Sequence, residues 1–450
     1  MTISGPLTGG RHGRPFGRPL VDLDQVGYRE DEWIIEGDAT RYRPVSGTEL
    51  GFDGVWEAEP AGTARFRTRI VAYRPVDPDQ FNGTAILSWN NVTAGYDLFG
   101  GESPEILENG FAYVGVTVQK VGIDGLPGLD QGLRSWDPER YGDLSHPGDD
   151  YSFDIFTQAA NAVRGGEVLG DLDVRKVVAM GGSQSAGRLA TYVNAIHPLT
   201  KAFDGYLLTI WFGSGTPLEV GDTVVNINTT PTPDQAVSWK DALRGRNQLR
   251  SLEVPVFVVN SELEAMACLN VRQPDTDTFR YWEAAGTCHV SVQGMELRQP
   301  KYRRDFGTEL PIAPGINRIP MMPLYDAAIH HLQSWITGGA APPVQPRIEF
   351  DADGEIVRDE HGIAVRGIRL PQAEVPIATD SAIPLAEDIY SILYGSSVPF
   401  SAEKQRELYG DVDTYVARFE EAARAAEKAG VLLPRDVPAL VEEARSSFGA

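Results

Sequence analysis

One short segment, VVAMGGSQSAGRLATYV, carries residues whose types and spacing suit nucleophilic chemistry. An apolar run ends in Gly181-Gly182-Ser183-Gln184-Ser185 and passes directly into an Ala-rich stretch. A serine on a sharp strand-to-helix turn is presented at the head of the helix. Such a nucleophile elbow needs small residues two before and two after it, because the two backbones crowd there. Here these are Gly181 and Ser185, so the second glycine of G-x-S-x-G is replaced by serine. The chemistry this predicts is attack of Ser183 on the carbonyl of an ester or lactone. The N–H of Gln184, at the helix head, would face the developing oxyanion. Taking Ser185 as the nucleophile would push the turn two residues into the helix, so Ser183 is preferred. The plainer alternative is a Gly-rich turn with no chemistry.

A serine nucleophile needs a base, and in such elbow proteins the acid and then the histidine follow the serine along the chain. That order prunes the seven histidines. His12 and His146 precede Ser183, and His197 follows it too soon to leave room for an acid. His330 and His331 lie mid-helix in YDAAIHHLQSWI and read as structural or surface residues, and His361 lies in a charged turn. His289 closes FRYWEAAGTCH, where a strand gives way through Gly286 to a loop, and is the predicted base. The acid is expected just past VPVFVVN, in Ser261-Glu262-Leu263-Glu264; Glu262 is preferred and Glu264 is the alternative. A carboxylate there would hold the imidazole tautomer and stabilise the imidazolium. A second oxyanion donor is expected after an early strand, in SWNNVTAG, from the N–H of Asn91 or the amide of Asn90; no HGGG signature is present. An Asn pair capping a strand end is the competing reading. Asn90, Tyr141 and Trp211 are further candidates for contact with substrate, Tyr141 from a long loop that also holds Trp136 and His146, and Trp211 beside Phe212. Each aromatic is equally a packing residue.

These groups must be positioned by a scaffold, and the flanking sequence supplies one. Short apolar or β-branched runs at residues 85–89, 113–118, 177–180, 206–211, 254–260 and 279–283 predict strands covered on both faces. Helical stretches lie between some of them: at 151–164, where Phe153, Phe156, Ala160 and Val163 share a face, and at 185–196. Such alternation implies a mainly parallel sheet with right-handed crossovers. Residues 28–42 and 54–73 look like antiparallel hairpin material at its first edge. Residues 122–150, rich in Gly, Pro and Asp, form a long loop, and loops of that length tend to be functional. After Pro342 comes an extended segment at 347–379 and then helices from 385 onward, with Val412, Val416, Phe419 and Ala423 at helical spacing. The expected organisation is a core at 1–342 and a C-terminal extended and helical appendage at 343–450 packed on it.

A chain of 450 residues accommodates a large α/β domain with appendages. A net charge of -23, from 40 Lys and Arg against 63 Asp and Glu, argues against nucleic acid or an anionic membrane as partner. No stretch is long and apolar enough to span a membrane, and the first residues lack an apolar signal core. Cys268 and Cys288 make no disulfide framework, which fits a reducing compartment; cytoplasm is the expectation, with two reduced thiols preferred over a bridge. No HExxH helix, paired CxxC or phosphate loop is present, so neither metal nor organic cofactor is expected.

Beyond the elbow, the sequence resembles a broad bacterial and fungal family of α/β-hydrolase domain proteins similar in kind to serine esterases. The matching stretches are LSWNNVTAGYD, ENGFAYVGVTVQKVGI, DPERYGDLSHPGDDYSFDIF, GGSQSAGR, SELEA, RQPDTDTFRYWEAAGTCH, RGIRLPQAEVPIAT and LYGSSVPFS. The resemblance implies an α/β-hydrolase fold with a central mostly parallel sheet, inserted loops and a C-terminal helical appendage. It further implies a Ser, acid and His triad with Ser183 and His289 at the matching positions, and a C-terminal region that belongs to the same unit. In its acid segment, S/T-E-x-D, Glu262 matches the Glu and Glu264 stands where Asp is usual. An ester or lactone hydrolase is therefore expected, with an acyltransferase using the same acyl-enzyme, or a non-catalytic binding protein on the same fold, as rivals.

Overall fold

A computed structural model describes residues 1–45, 50–98, 100–221, 240, 243–386 and 388–449. By their contacts the residues group into two interleaved units: Met1–Pro231 with Arg246–Val256 and Lys301–Thr308, and Thr232–Gly245 with Phe257–Pro300 and Glu309–Ala450.

In the first unit the strands are β1 (Thr2–Ser4), β2 (Tyr28–Pro44), β3 (Ala58–Pro75), β4 (Thr84–Trp89), β5 (Ala112–Val116), β6 (Lys176–Gly182) and β7 (Gly205–Thr209), in the spatial order β1-β2-β3-β5-β4-β6-β7. The predicted edge hairpin is β2 and β3, two long antiparallel strands whose register shifts between Arg41 and Tyr42. β3 pairs antiparallel with β5, and from β5 onward β5, β4, β6 and β7 run parallel. The near-continuous apolar runs seen in the sequence are these inner strands, buried on both faces. Because β4 lies beside β6 in parallel register, with Ser88 opposite Met180, the loop after Trp89 and the turn after Gly182 emerge side by side. Chain order reverses direction at β4, and the C-terminal ends of strands around such a reversal form the crevice that α/β folds use for ligands.

Helix α1 (Ser152–Arg164) buries Phe153, Phe156, Ala160 and Val163, the face expected from their spacing, with the first two rings 5.6 and 5.0 Å from Trp89 of β4. α2 (Gln184–Thr191) starts directly at the end of β6 and continues through a π-helical turn at Tyr192–Ile196. The long loop is anchored by its own apolar side chains: Ile123, Leu133, Trp136, Tyr141 and Leu144 cluster with Phe16, Ile34 and Tyr96.

The second unit holds β8 (Val256–Ser261, after its first residue) and its neighbour β9 (Phe279–Ala284), with α3 (Glu262–Ala267) between them in sequence and α4 (Met322–Ile336) beyond. The extended segment after Pro342 folds back on itself through bridges between Ile348 and Arg366, Phe350 and Ile356, and Arg358 and Ala364, and Ile368 bridges Ala284 at the end of β9. β10 (Ala378–Ser381) pairs antiparallel with β11 (Ser396–Pro399). α5 (Val412–Lys428) buries Val416, Phe419 and Ala423 and packs on α6 (Asp436–Ser447).

Candidate active site

Ser183 sits between β6 and α2 with φ 60° and ψ −122°, a conformation that non-glycine residues adopt only when the surroundings enforce it. Its N–H donates to the Thr209 carbonyl of β7 at 3.0 Å and its carbonyl accepts from the Gly187 N–H at 3.1 Å, which fixes the turn from both sides. A Cβ on Gly181 would meet the Ser185 backbone carbon at 3.1 Å and the Leu189 side chain at 3.0 Å, so the small-residue requirement read from sequence is a real crowding of strand against helix. Ser185 is fully buried and its Oγ has no hydrogen-bond partner among the described residues, whereas Ser183 is half-buried. Gln184 is the first residue of α2, and its N–H lies in the first turn, where amide groups point out of the helix end.

The loop after β4 is tied to this turn. Asn91 Nδ2 donates to the Gly182 carbonyl at 3.0 Å, and its Oδ1 accepts from the Thr93 N–H at 2.7 Å. The side chain of Asn91 thus clamps the loop to the residue preceding Ser183. Asn90, Tyr141 and Trp211, expected at the substrate, are held by other partners. Asn90 Nδ2 donates to Asp97 at 3.0 Å, and Asp97 also accepts from Arg69 at 3.1 Å and Thr117 Oγ1 at 2.6 Å. Arg69 is fully buried and donates to Glu32 at 3.2 Å; the Tyr141 hydroxyl donates to Glu32 at 2.7 Å and accepts from the Phe16 N–H at 3.0 Å. The buried Trp211 Nε1 donates to the Ser214 carbonyl at 3.0 Å. The reason is that a buried polar group favours a partner inside the protein; Asn90 Oδ1, buried with no hydrogen-bond partner among the described residues, is the exception. Asp97 and Arg69 were not anticipated. The only signal for them was a charged residue in each of two otherwise apolar contexts, RIVAY and AGYDLF.

A second network lies under α2. Arg188 pairs with Asp149 at 3.0 Å, Asp149 accepts from Gln119 Nε2 at 3.0 Å, and Gln119 accepts from Trp89 Nε1 at 3.0 Å. Burial alone would raise the Asp149 carboxyl, but Arg188, His146 and the hydrogen-bond donors outweigh it and hold it below the usual value. His146 contacts the Val118 carbonyl at 2.8 Å, and burial lowers its pKa, so this histidine of the long loop has a structural place.

In the second unit, His289 Nδ1 lies 2.7 Å from Glu264 Oε1, and both residues are buried. Glu264 also closes a capping box at the start of α3, its other oxygen accepting from the Ser261 N–H and Oγ. The structure therefore brings Glu264 to His289, not the Glu262 preferred from sequence. The two are the first and third residues of a helix, which sets them roughly 200° apart around its axis. Glu262 points to Arg358 and the Gly286 N–H. Cys268 and Cys288 are buried free thiols, and burial pushes both pKa values up. His331 is bound to the Gly430 carbonyl at 2.8 Å from α4, and His197 to the Tyr206 hydroxyl at 2.8 Å. Among the described residues no three His, Cys, Asp or Glu side chains group as metal ligands, and no helix is long and apolar enough to cross a membrane.

A parallel sheet whose central strand ends in a strained serine at a helix head, with an acid and histidine later in the chain, defines the α/β-hydrolase fold. The chain belongs to the alpha/beta hydrolase domain family, whose model matches residues 3–442. A search of curated proteins finds no significant relative. Solved structures similar to this chain include esterase Est22, at 11% identity over 70% of this chain and 84% of that one, with a TM-score of 0.31. A fungal esterase from Rhizomucor miehei is 12% identical over 71% and 93%, also with a TM-score of 0.31. The carboxylesterase Cest-2923 from Lactobacillus plantarum WCFS1 is 13% identical over 54% and 81%, with a TM-score of 0.27.

Proposed function

We propose that the protein is a serine hydrolase that cleaves a carboxylic ester or lactone through an acyl-enzyme. Ser183 is the nucleophile, His289 the general base and Glu264 the acid. The observation that carries this reading is the backbone of Ser183, held at φ 60° between a parallel strand and a helix N-terminus, because such strain persists at a site that uses it. In the proposed reaction His289 Nε2 takes the Ser183 proton as Oγ attacks the carbonyl carbon. The tetrahedral oxyanion is held by the N–H groups of Gln184 and Asn91. Collapse expels the alcohol, protonated by His289; in a lactone the alcohol stays attached to the acyl group. Water, deprotonated by the same imidazole, then attacks the acyl-enzyme and releases the acid. The 2.7 Å contact with Glu264 supports the His289 assignment, since it leaves Nε2 as the nitrogen available for proton transfer.

The test is intact mass after treatment with a fluorophosphonate, for wild type, Ser183→Ala and Ser185→Ala, alongside hydrolysis of short and medium p-nitrophenyl esters. A single adduct lost only in Ser183→Ala, with ester turnover lost in the same variant, is expected. An adduct that persists in Ser183→Ala and disappears in Ser185→Ala, or no adduct on any variant, overturns the reading.

A further inference from the structure

Glu262 and Glu264 lie two positions apart in the first turn of α3, and both side chains are fully buried. Two buried carboxylates so close each disfavour the other's charge unless each has its own compensation. They are compensated differently. Glu264 takes Ser261 and His289. Glu262 Oε1 accepts from Arg358 Nη2 at 2.7 Å, the Ala382 N–H at 3.1 Å and Ser381 Oγ at 3.3 Å, while Oε2 accepts from the Gly286 N–H at 2.7 Å. The main chain of Glu262 joins in: its N–H donates to Thr287 Oγ1 at 3.2 Å, and Thr287 Oγ1 donates to the Ala284 carbonyl at 2.7 Å. Residues 286 and 287 are thus gripped by the side chain and backbone of Glu262, two residues before His289. From the other side Asn317 Nδ2 donates to the Gly286 carbonyl at 2.7 Å. Gly286 itself has φ +71° and a Cβ there would press on Ile319 at 3.1 Å, so the turn has no slack to absorb a shift. Arg358 is held in its own hairpin by the bridge to Ala364 and by Nη1 donating to the Gly362 carbonyl at 3.0 Å.

We propose that the Arg358–Glu262 pair, supplied half by α3 and half by the C-terminal extended segment, is a positioning device for His289. It pins the turn that carries the imidazole and neutralises the carboxylate that is not used, which leaves Glu264 to meet His289. This inference rests on the serine-hydrolase reading and adds to it a role for the region after Pro342.

The experiment compares Arg358→Met and the double variant Glu262→Gln/Arg358→Met with wild type, in the full chain, by steady-state hydrolysis of a p-nitrophenyl ester and by circular dichroism. Arg358→Met leaves a buried carboxylate with its hydrogen-bond donors but without its counter-charge and is expected to lose at least thirtyfold in kcat with KM within twofold of wild type. Glu262→Gln removes that charge while the amide oxygen it introduces still accepts from the Gly286 N–H, so the double variant is expected to recover to between three- and tenfold below wild type. A folded Arg358→Met with wild-type kcat, or a double variant slower than the single one, overturns the proposal. Should Arg358→Met not fold, the double variant decides alone: kcat at least threefold down at unchanged KM supports the proposal, and wild-type kcat overturns it. If wild type shows no ester turnover, the hydrolase reading fails separately, and the far-downfield Nδ1–H proton of His289 then reports positioning. Its loss or shift in the double variant supports the proposal, and an unchanged resonance overturns it.

Discussion

Glu264→Gln is the sharpest perturbation of the site because it changes a charge while keeping shape and helix cap. Glu264 Oε2 accepts two bonds from Ser261, so in the variant the amide oxygen stays with Ser261 and the new NH2 group turns toward His289 Nδ1, 2.7 Å away in the native protein. Facing a donor, Nδ1 must be the unprotonated nitrogen, and the proton moves to Nε2, which can then no longer act as the base of the proposed mechanism. The variant also loses the carboxylate that stabilises imidazolium in the transition state. At an effective dielectric of about 20 and a charge separation of roughly 4 Å, that attraction is about 4 kcal/mol. This corresponds to about 10³ in rate, and the wrong tautomer extends the loss toward about 10⁴. The assay is kcat/KM on a p-nitrophenyl ester together with the second-order rate of fluorophosphonate labelling, with the melting temperature as a control; the melting temperature is expected to stay within a few degrees, because the capping box survives. A Glu264→Gln enzyme that keeps more than about one-tenth of wild-type kcat/KM, while Glu262→Gln falls a thousandfold, would refute the assignment of the acid.

Two further outcomes follow from the same geometry. Gly181→Ala places a methyl 3.1 Å from the Ser185 backbone and should lower kcat at least tenfold and stability by about 1–3 kcal/mol; wild-type kcat and melting temperature would show that the elbow has room to spare. The Asp380 carboxyl, on β10, is raised by burial from 3.8 to about 6, against the pull of Ser397 and Arg318. A raised carboxyl favours the folded state below the unfolded value and loses that advantage as pH rises through the folded one, so stability should fall between about pH 4 and pH 6, by about 3 kcal/mol at most. Asp380→Asn should therefore raise the melting temperature at pH 8 and leave it nearly unchanged at pH 4; equal shifts at both would count against a neutral folded-state Asp380.

Much of the scaffold was legible because its signals are local. Apolar runs of four to eight residues located strands β4 to β9, and the 3.6-residue period of Phe153, Phe156, Ala160 and Val163 located α1. The elbow was legible for the same reason: strand, turn and helix are contiguous, so the small residue Gly181, the conformation of Ser183 and the start of α2 are all consequences of one short stretch. Chain order set aside His12, His146 and His197, and local context His330, His331 and His361, which left His289 as the candidate base.

What stayed out of reach were pairings between residues far apart in the chain. Glu262 and Glu264 have the same chemistry and nearly the same position, and helix phase alone does not say which faces His289; that depends on where Arg358, 96 positions on, and Gly286 lie. Tyr141 is a candidate for a substrate pocket as an aromatic of the long loop and Asn90 as an amide after an early strand; the sequence does not show that the Tyr141 hydroxyl donates to Glu32 and Asn90 Nδ2 to Asp97. By itself the sequence determined the α/β scaffold, the strand-to-helix turn at Ser183 and the order of the candidate residues, because periodicity, turn sterics and chain direction act over short spans. Only the tertiary structure decided which carboxylate meets the imidazole and which polar side chains are spent in the core, because a buried charge or hydrogen bond is settled by whatever distant partner the fold brings to it.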